Sequence, residues 1–355
     1  MKNWRNFGLG LLLMGAWLGS AGADDATQSV SGKILQVGIG ARPVGMGEAQ
    51  AAASDDIYSL YWNPAGLSRL GQSQITLMHN AWFGQINSEY LAYAQPIAQG
   101  GFGIAFNYIS FGQFQKYGID SNNYPIASDE QFSPFTLVTT FGYSQMFAPQ
   151  LSLGANLKLV SESVDTYNNL TAALDLGMQV LKVWNGLDLG LMVQNAGLPI
   201  QGYSLPLNVK AGAAYSFLPA ADKNRFTAAV DMNLPIPTSQ PYYANAGLEY
   251  WFVNTIAVRA GYKMSQLNSL GQLSGLTAGL GLRVLDYSLD YAYADYGVLG
   301  MTHRVSFTAG FGEAKRKNVK HSTRVAPKHM TSPAGGSSAG GVLVPRLSGL
   351  TMRAP

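Results

Sequence analysis

From Gln72 to Gly312 the chain repeatedly sets a large apolar residue beside a small or polar one, and this period of two marks a β-strand with two unlike faces. Leu151, Leu153, Ala155, Leu157 and Leu159 alternate with Ser152, Gly154, Asn156, Lys158 and Val160. Ile256, Val258, Ala260, Tyr262 and Met264 alternate in the same way with Ala257, Arg259, Gly261 and Lys263. Leu276, Ala278, Leu280, Leu282 and Val284 alternate with Thr277, Gly279, Gly281 and Arg283. The pattern predicts fourteen strands, over 73–81, 88–97, 101–112, 134–146, 150–164, 170–181, 186–195, 206–217, 225–234, 242–252, 255–264, 275–285, 286–296 and 302–312.

A tilted strand that crosses a bilayer needs roughly 9–11 residues, which most of these segments match or exceed. Connections as tight as Ala148-Pro149 and Val253-Asn254 contrast with the long stretch Gln113–Ser133, and short turns at one end with longer loops at the other is the pattern of an outer-membrane barrel. A soluble β-sandwich also alternates. Against it, the apolar faces are too many for one core, and the opposite faces carry Lys158, Asp175, Asp188, Asp231, Glu249, Arg259, Arg283, Asp290 and Arg304. The chain is therefore read as all-β, a transmembrane antiparallel β-barrel of about 14 strands whose charges line the lumen. Adjacent strands lie about 5 Å apart, so Lys158 is expected beside Asp175, Glu249 beside Arg259, and Arg283 beside Asp290 and Arg304. Such ladders serve either a polar conduction path or a network that fixes register and closes the lumen. Aromatic residues at strand ends, Tyr242-Tyr243, Tyr250-Trp251-Phe252 and Tyr291–Tyr296, suit interfacial girdles, although strands favour aromatics in any case.

Residues 33–70 do not alternate. Four glycines between Gly38 and Gly47 surround Arg42-Pro43, Glu48–Ala53 is predicted as a short helix, and Ser54-Asp55-Asp56 can cap a second turn. Asn63-Pro64-Ala65-Gly66 then forces a turn, because Pro fixes φ and Gly tolerates positive φ. A stretch that holds Ile57, Tyr58, Leu60, Tyr61 and Trp62 is poorly suited to open water, so it is expected to sit in the barrel mouth as a helical or turn-rich plug, over 24–71 of the chain.

Composition sharpens the picture at both ends. Lys2 and Arg5 precede an uncharged run that ends in Ala21-Gly22-Ala23, the order of a secretory signal peptide over 1–23. The last 41 residues hold eight Lys/Arg and no acids, which leaves 13 basic against 20 acidic residues in the body and argues against nucleic acid as a partner. This end, residues 313–355 with its "SPAGGSSAGG" run, reads as a disordered basic tail, and Leu343-Val344-Pro345-Arg346 resembles a protease linker site. The absence of Cys excludes a disulfide framework, a lipoprotein anchor and Cys-based metal or redox chemistry. Four His, at 79, 303, 321 and 329, show no metal-ligand spacing, and neither G-x-S-x-G nor a phosphate-cradling loop is present, so no catalytic site, cofactor or metal is expected. A hydrolase built on His79 or His303 with a barrel Ser is the weakest of the readings considered.

The run "GIGARPVGMGEAQAAASDDIYSLYWNPAGLSRL" resembles the N-terminal signature of the PorV/PorQ family within the FadL-like outer-membrane proteins. The resemblance is close over 38–70 and motif-poor from 71 to 312. It implies a fourteen-stranded barrel with an N-terminal plug, in which Gly45, Gly47, Asp55, Asp56, Trp62, Asn63, Pro64, Ala65 and Gly66 form the signature without assigned chemistry. It implies the outer membrane of a Gram-negative-type bacterium, with outer-membrane lipids around the barrel. PorV-type members serve type IX secretion beside a translocon or with a secreted cargo protein, which is the function expected first. FadL-like members move hydrophobic compounds, and a channel with a hydrophobic ligand is the alternative. The segment Gln113–Ser133, with Phe114, Tyr117, Ile119, Tyr124 and Ile126, is the candidate surface for a protein partner.

Overall fold

A computed structural model describes residues 32–200, 202–217, 224–236, 242–264 and 274–312. The expected signal peptide and basic tail lie outside these residues. The strands are β1 (Ser73–Ala81), β2 (Asn87–Ile97), β3 (Gly100–Ser110), β4 (Phe114–Ile119), β5 (Pro125–Phe132), β6 (Phe135–Ala148), β7 (Leu151–Val164) and β8 (Tyr167–Trp184). They continue as β9 (Leu187–Gly197), β10 (Leu207–Phe217), β11 (Arg225–Ile236), β12 (Tyr243–Phe252), β13 (Ile256–Lys263), β14 (Leu276–Val284), β15 (Tyr287–Asp295) and β16 (Met301–Phe311).

Fourteen of them close into an antiparallel barrel in which each strand pairs with its neighbour in the chain, β6 follows β3, and β16 pairs with β1. Closure leaves no sheet edge exposed to lipid, the condition for a sheet to span a bilayer. The register Ser73↔Phe311 puts the start of β1 and the end of β16 at one end of the barrel. The tight connections Pro149-Gln150, Asn185-Gly186 and Leu285-Asp286 lie at that same end, while Leu198–Pro206 and the insertion between β3 and β6 lie at the other, beside the two-residue Asp165-Thr166. Gln113–Ser133 is not an irregular loop: β4 and β5 pair as a separate two-stranded hairpin between β3 and β6.

The alternation of residue types becomes an alternation of environments. Leu153, Leu157, Leu159, Leu280, Leu282 and Phe307 are exposed on the outer face. Ser152, Asn156, Lys158 and Val160 are buried on the inner face. Inward residues are buried because residues 33–70 fill the lumen behind them. Trp251 departs from the expected girdle: it points inward and is 1% exposed, while Phe252 stays outside. Strict period-two geometry requires this, since Glu249 and Trp251 share a face.

Within residues 33–70 the observed helix is Ala41–Gly45, with 3-10 turns at Lys33–Gln36 and Pro64–Arg69 and a single helical turn at Ser59–Trp62. The helix expected over Glu48–Ala53 does not form. Glu48 adopts a left-handed φ of 66°, and the Gln50 and Ala51 amides donate to the Asp231 carboxylate of β11 at 2.7 and 2.9 Å. A wall carboxylate thus takes amides that a helix would have used internally. The turn after Ser54 is capped by Asp56, whose Oδ1 accepts from the Tyr58 amide at 2.9 Å, while the Ser54 hydroxyl donates to the Gln50 carbonyl.

Candidate functional site

The candidate site is the inner segment 33–70 and its seat in the wall. Arg42 is the hub. Its guanidinium donates to both Glu249 oxygens at 2.9 and 3.0 Å, to Asp55 Oδ1 at 2.6 Å and to Asp56 Oδ2 at 2.7 Å. Glu249, fully buried on β12, also accepts from Arg259 Nε of β13 at 2.8 Å, and Arg259 Nη1 reaches Asp290 of β15 at 2.7 Å. Charge-assisted, forked contacts of this kind are among the stronger hydrogen bonds, and breaking one member strands the others in a low-dielectric interior. Burial pushes the Asp55 carboxyl up, but Arg42, with Arg69 and Arg225, outweighs burial and holds it well below the usual carboxylate range. Asp56 shifts the other way: burial raises it, the Asp55 charge adds to the rise, and Arg42 opposes it.

Glycines in both surfaces let backbone meet backbone. A Cβ on Gly261 would fall on the Gly47 amide nitrogen, and one on Gly190 on the Ala51 carbonyl. Gly47 itself has φ 62° and donates its amide to Thr277 Oγ1 at 3.0 Å, so this position needs glycine both for conformation and for space. Gly45 lies against Gly279 of β14, and Gly66 packs against Ser59 Oγ and the Ser54 carbonyl.

The signature turn does more than reverse the chain. Asn63 Oδ1 accepts from the Ala65 amide at 3.1 Å, capping the turn that Pro64 begins, while its Nδ2 donates to the Ala51 carbonyl at 2.6 Å and to Met178 of β8 at 3.3 Å. The Ala65 carbonyl accepts from Ser68 Oγ at 2.9 Å and from Ser152 Oγ of β7 at 2.7 Å. Trp62 donates its indole N–H to the Ile39 carbonyl at 2.8 Å, and Lys210 of β10 stands 4.7 Å over its ring. Asn156, Gln179 and Gln194 add donors from β7, β8 and β9 to the carbonyls of Leu60, Ser54 and Tyr61.

Not every expected ladder forms. Lys158 meets Asp175 at 2.9 Å and Glu249 meets Arg259 at 2.8 Å. Arg283, by contrast, does not pair with Asp290, because Arg259 from β13 already occupies that carboxylate. Arg283 instead lies 4.3 Å over the Trp251 ring, with Ser288 Oγ at 3.4 Å, and Arg304 donates to Thr302 Oγ1 at 2.9 Å. Asp231 faces the inner segment rather than a wall cation. His79 and His303 are on the outer face, beside Glu89 at 2.6 Å and Tyr291 at 2.7 Å. Among the described residues no group of three or more His, Asp or Glu is placed to hold a metal.

Sequence reasoning missed Arg42 as the hub and the polar donors of β7–β9. The signal was present in one respect, since Ser152, Asn156 and Gln179 occupy inward positions that the alternation reserves for the lumen.

The interior is two-sided. On the wall of β11–β15 the segment is held by ion pairs. Toward β1–β3 it presents Ile39, Ile57, Leu60, Leu67 and Leu70, which cluster with Met78, Tyr90, Ala92, Ala94 and Ala105. A second apolar cluster joins Leu35 to Val138, Val160, Ala173, Ile200 and Leu205, nearer the long-loop end.

A family model described as "Uncharacterised protein family (UPF0164)" matches residues 16–216. No curated protein matches the chain. Among solved structures, two crystal structures of the Pseudomonas putida toluene transporter TodX align with TM-scores of 0.53 and 0.54 at 14% and 15% identity. They cover 78% and 77% of this chain and 99% and 96% of theirs. A Pseudomonas aeruginosa FadL homologue aligns at TM-score 0.49 and 11% identity over 77% of this chain and 98% of its own. At these identities the likeness is one of fold.

Proposed function

The chain belongs to the uncharacterised protein family UPF0164, and from that footing we propose that it is a non-enzymatic outer-membrane channel for hydrophobic small molecules, closed by its inner segment. The observation that carries this reading is the two-sided interior. A solute that prefers apolar surroundings has a track along the β1–β3 side, through the cluster around Leu60, once the segment shifts there and releases the hydrogen bonds that β7 and β8 make to it. On the β11–β15 side the pairs Arg42–Glu249 and Glu48–Lys263 tether the segment, so it can yield on the other side without leaving the barrel. The fold shared with a toluene transporter supports the same reading, as do the outward apolar faces, which suit lipid. In this orientation the end that holds the tight turns faces the periplasm.

A second reading, a PorV/PorQ-type accessory of protein export, draws on one feature. The hairpin β4–β5 stands outside the mouth with Tyr117 66%, Ile119 74% and Tyr124 69% exposed, an apolar surface suited to a translocon or a secreted cargo.

The test is uptake of labelled monoaromatic and long-chain apolar compounds by cells with and without the protein, paired with native mass spectrometry of the barrel extracted in mild detergent. Faster uptake with no stoichiometric protein partner supports the channel. Unchanged uptake together with a co-purifying translocon or cargo supports the export reading and overturns the first.

A further inference from the structure

At the end of the barrel that holds the tight turns, a cavity of about 360 Å³ opens between the inner segment and the wall. Its lining brings together three guanidiniums, Arg42, Arg225 and Arg283, with three carboxylates, Asp55, Asp56 and Asp286. The two sets are not equally provided for. Asp55 and Asp56 are taken by Arg42, and Asp286 accepts from Gln72 Nε2 at 3.1 Å. The cations fare differently. Among the described residues Arg225 has one long contact, 3.4 Å to Glu249 Oε1, on a carboxylate that Arg42 and Arg259 already occupy, and its buried Nε has no partner there. Arg283 is within ion-pair distance of no carboxylate among the described residues: its guanidinium lies 4.3 Å over the Trp251 ring, and its hydrogen bond is the long one to Ser288 Oγ.

We propose that Arg225 and Arg283 form a binding site for an oxyanion, the carboxylate or phosphate group of a small soluble molecule. A planar guanidinium presents paired N–H donors that match the spacing of two carboxylate or phosphate oxygens, and stacking on an aromatic ring fixes its plane before the ligand arrives. Two guanidiniums on the wall of one cavity, both short of acceptors, supply charge and direction together. The hydroxyl of Ser288 lies on the same wall and adds a neutral donor. The cavity falls within the range of about 300–1,000 Å³ typical of small-molecule sites. Since Arg42 and Asp55 form its inner boundary, an occupant would touch the network that holds the segment, whichever solute the barrel passes.

Inorganic phosphate and succinate are titrated separately into the detergent-solubilised full chain by isothermal calorimetry at fixed ionic strength, for the wild type and for Arg283→Gln and Arg225→Gln. Saturable binding of either probe, weakened at least tenfold in both variants, is the expected result. Preference between the two identifies the head group. Heat-modifiability on gels confirms that the variants are folded barrels. No saturable binding by the wild type, or equal binding by folded variants, overturns the site. An effect of Arg304→Gln equal to that of Arg283→Gln also overturns it, because it would show a general response to lumen charge.

Discussion

The wall of β11–β15 and the wall of β1–β3 enclose the same inner segment by different physics. On the first side, Glu249, Lys263 and Asp231 fix it through directional, charge-assisted contacts that tolerate little displacement, with Arg259 and Asp290 bracing Glu249 from within the wall. On the second, Tyr90, Ala92, Ala94 and Ala105 meet Leu60, Ile57 and Leu67 through non-directional packing, which is proportional to area and survives sliding. Ionic anchoring is thus concentrated on one wall and the large apolar side chains on the other, although small residues of β11 and β15 also pack against the segment and Thr76 and Gln74 of β1 bond to it.

The largest effect is expected for Glu249→Gln. It leaves Arg42 and Arg259 short of a buried counter-charge, and the expected loss is about 3–5 kcal/mol of unfolding free energy, read from urea titration of the barrel in lipid vesicles. Next, Leu60→Ala on the other side removes packing over Gly103 and Gly142 and is expected to cost about 2–3 kcal/mol. Unlike the first substitution, it is expected to increase uptake of apolar solutes while leaving the Arg42 network in place. Gly261→Ala pushes a methyl into the Gly47 amide and is expected to cost about 1–3 kcal/mol, with leakage of a large hydrophilic dye as the second readout.

The smallest effect separates the two carboxylates on Arg42. The lowered Asp55 binds fewer protons when folded than when unfolded, so it adds stability above its unfolded pKa that is lost as pH falls through the folded one. Asp56 is raised, so its contribution is present in acid and lost as pH rises through its folded value. Asp55→Asn is therefore expected to destabilise at neutral pH, whereas Asp56→Asn is neutral or mildly stabilising there, as measured by the same titrations at pH 7 and in mild acid.

Much of the barrel could be read from period two alone. The alternation delimits Ser73–Ala81 to the residue, and strand spacing alone brings Lys158 and Asp175 within reach of each other. What escaped depends on partners far away in the chain. Glu48–Ala53 has helical composition, yet its amides go to Asp231, some 180 residues on, so local propensity misplaces the helix. Asp290 could have paired with Arg283, and only the tertiary reach of Arg259 decides otherwise. The signature residues Gly45, Gly47, Asn63 and Gly66 were visible, but their roles as points of close approach and as a two-way tie required the wall opposite them.

On the proposed channel reading the inner segment must shift for solute to pass, and the chain's lack of Cys allows that shift to be locked directly. Ser68 of the segment and Ser152 of β7 touch through their hydroxyls at 2.7 Å, so their side chains are close enough to be paired by a cross-link. The measurement is uptake of a labelled monoaromatic hydrocarbon by cells bearing the S68C/S152C double variant, oxidised and then reduced. Uptake is expected to be blocked in the oxidised barrel and restored by reductant. Equal uptake in both states, with the disulfide verified, would contradict it.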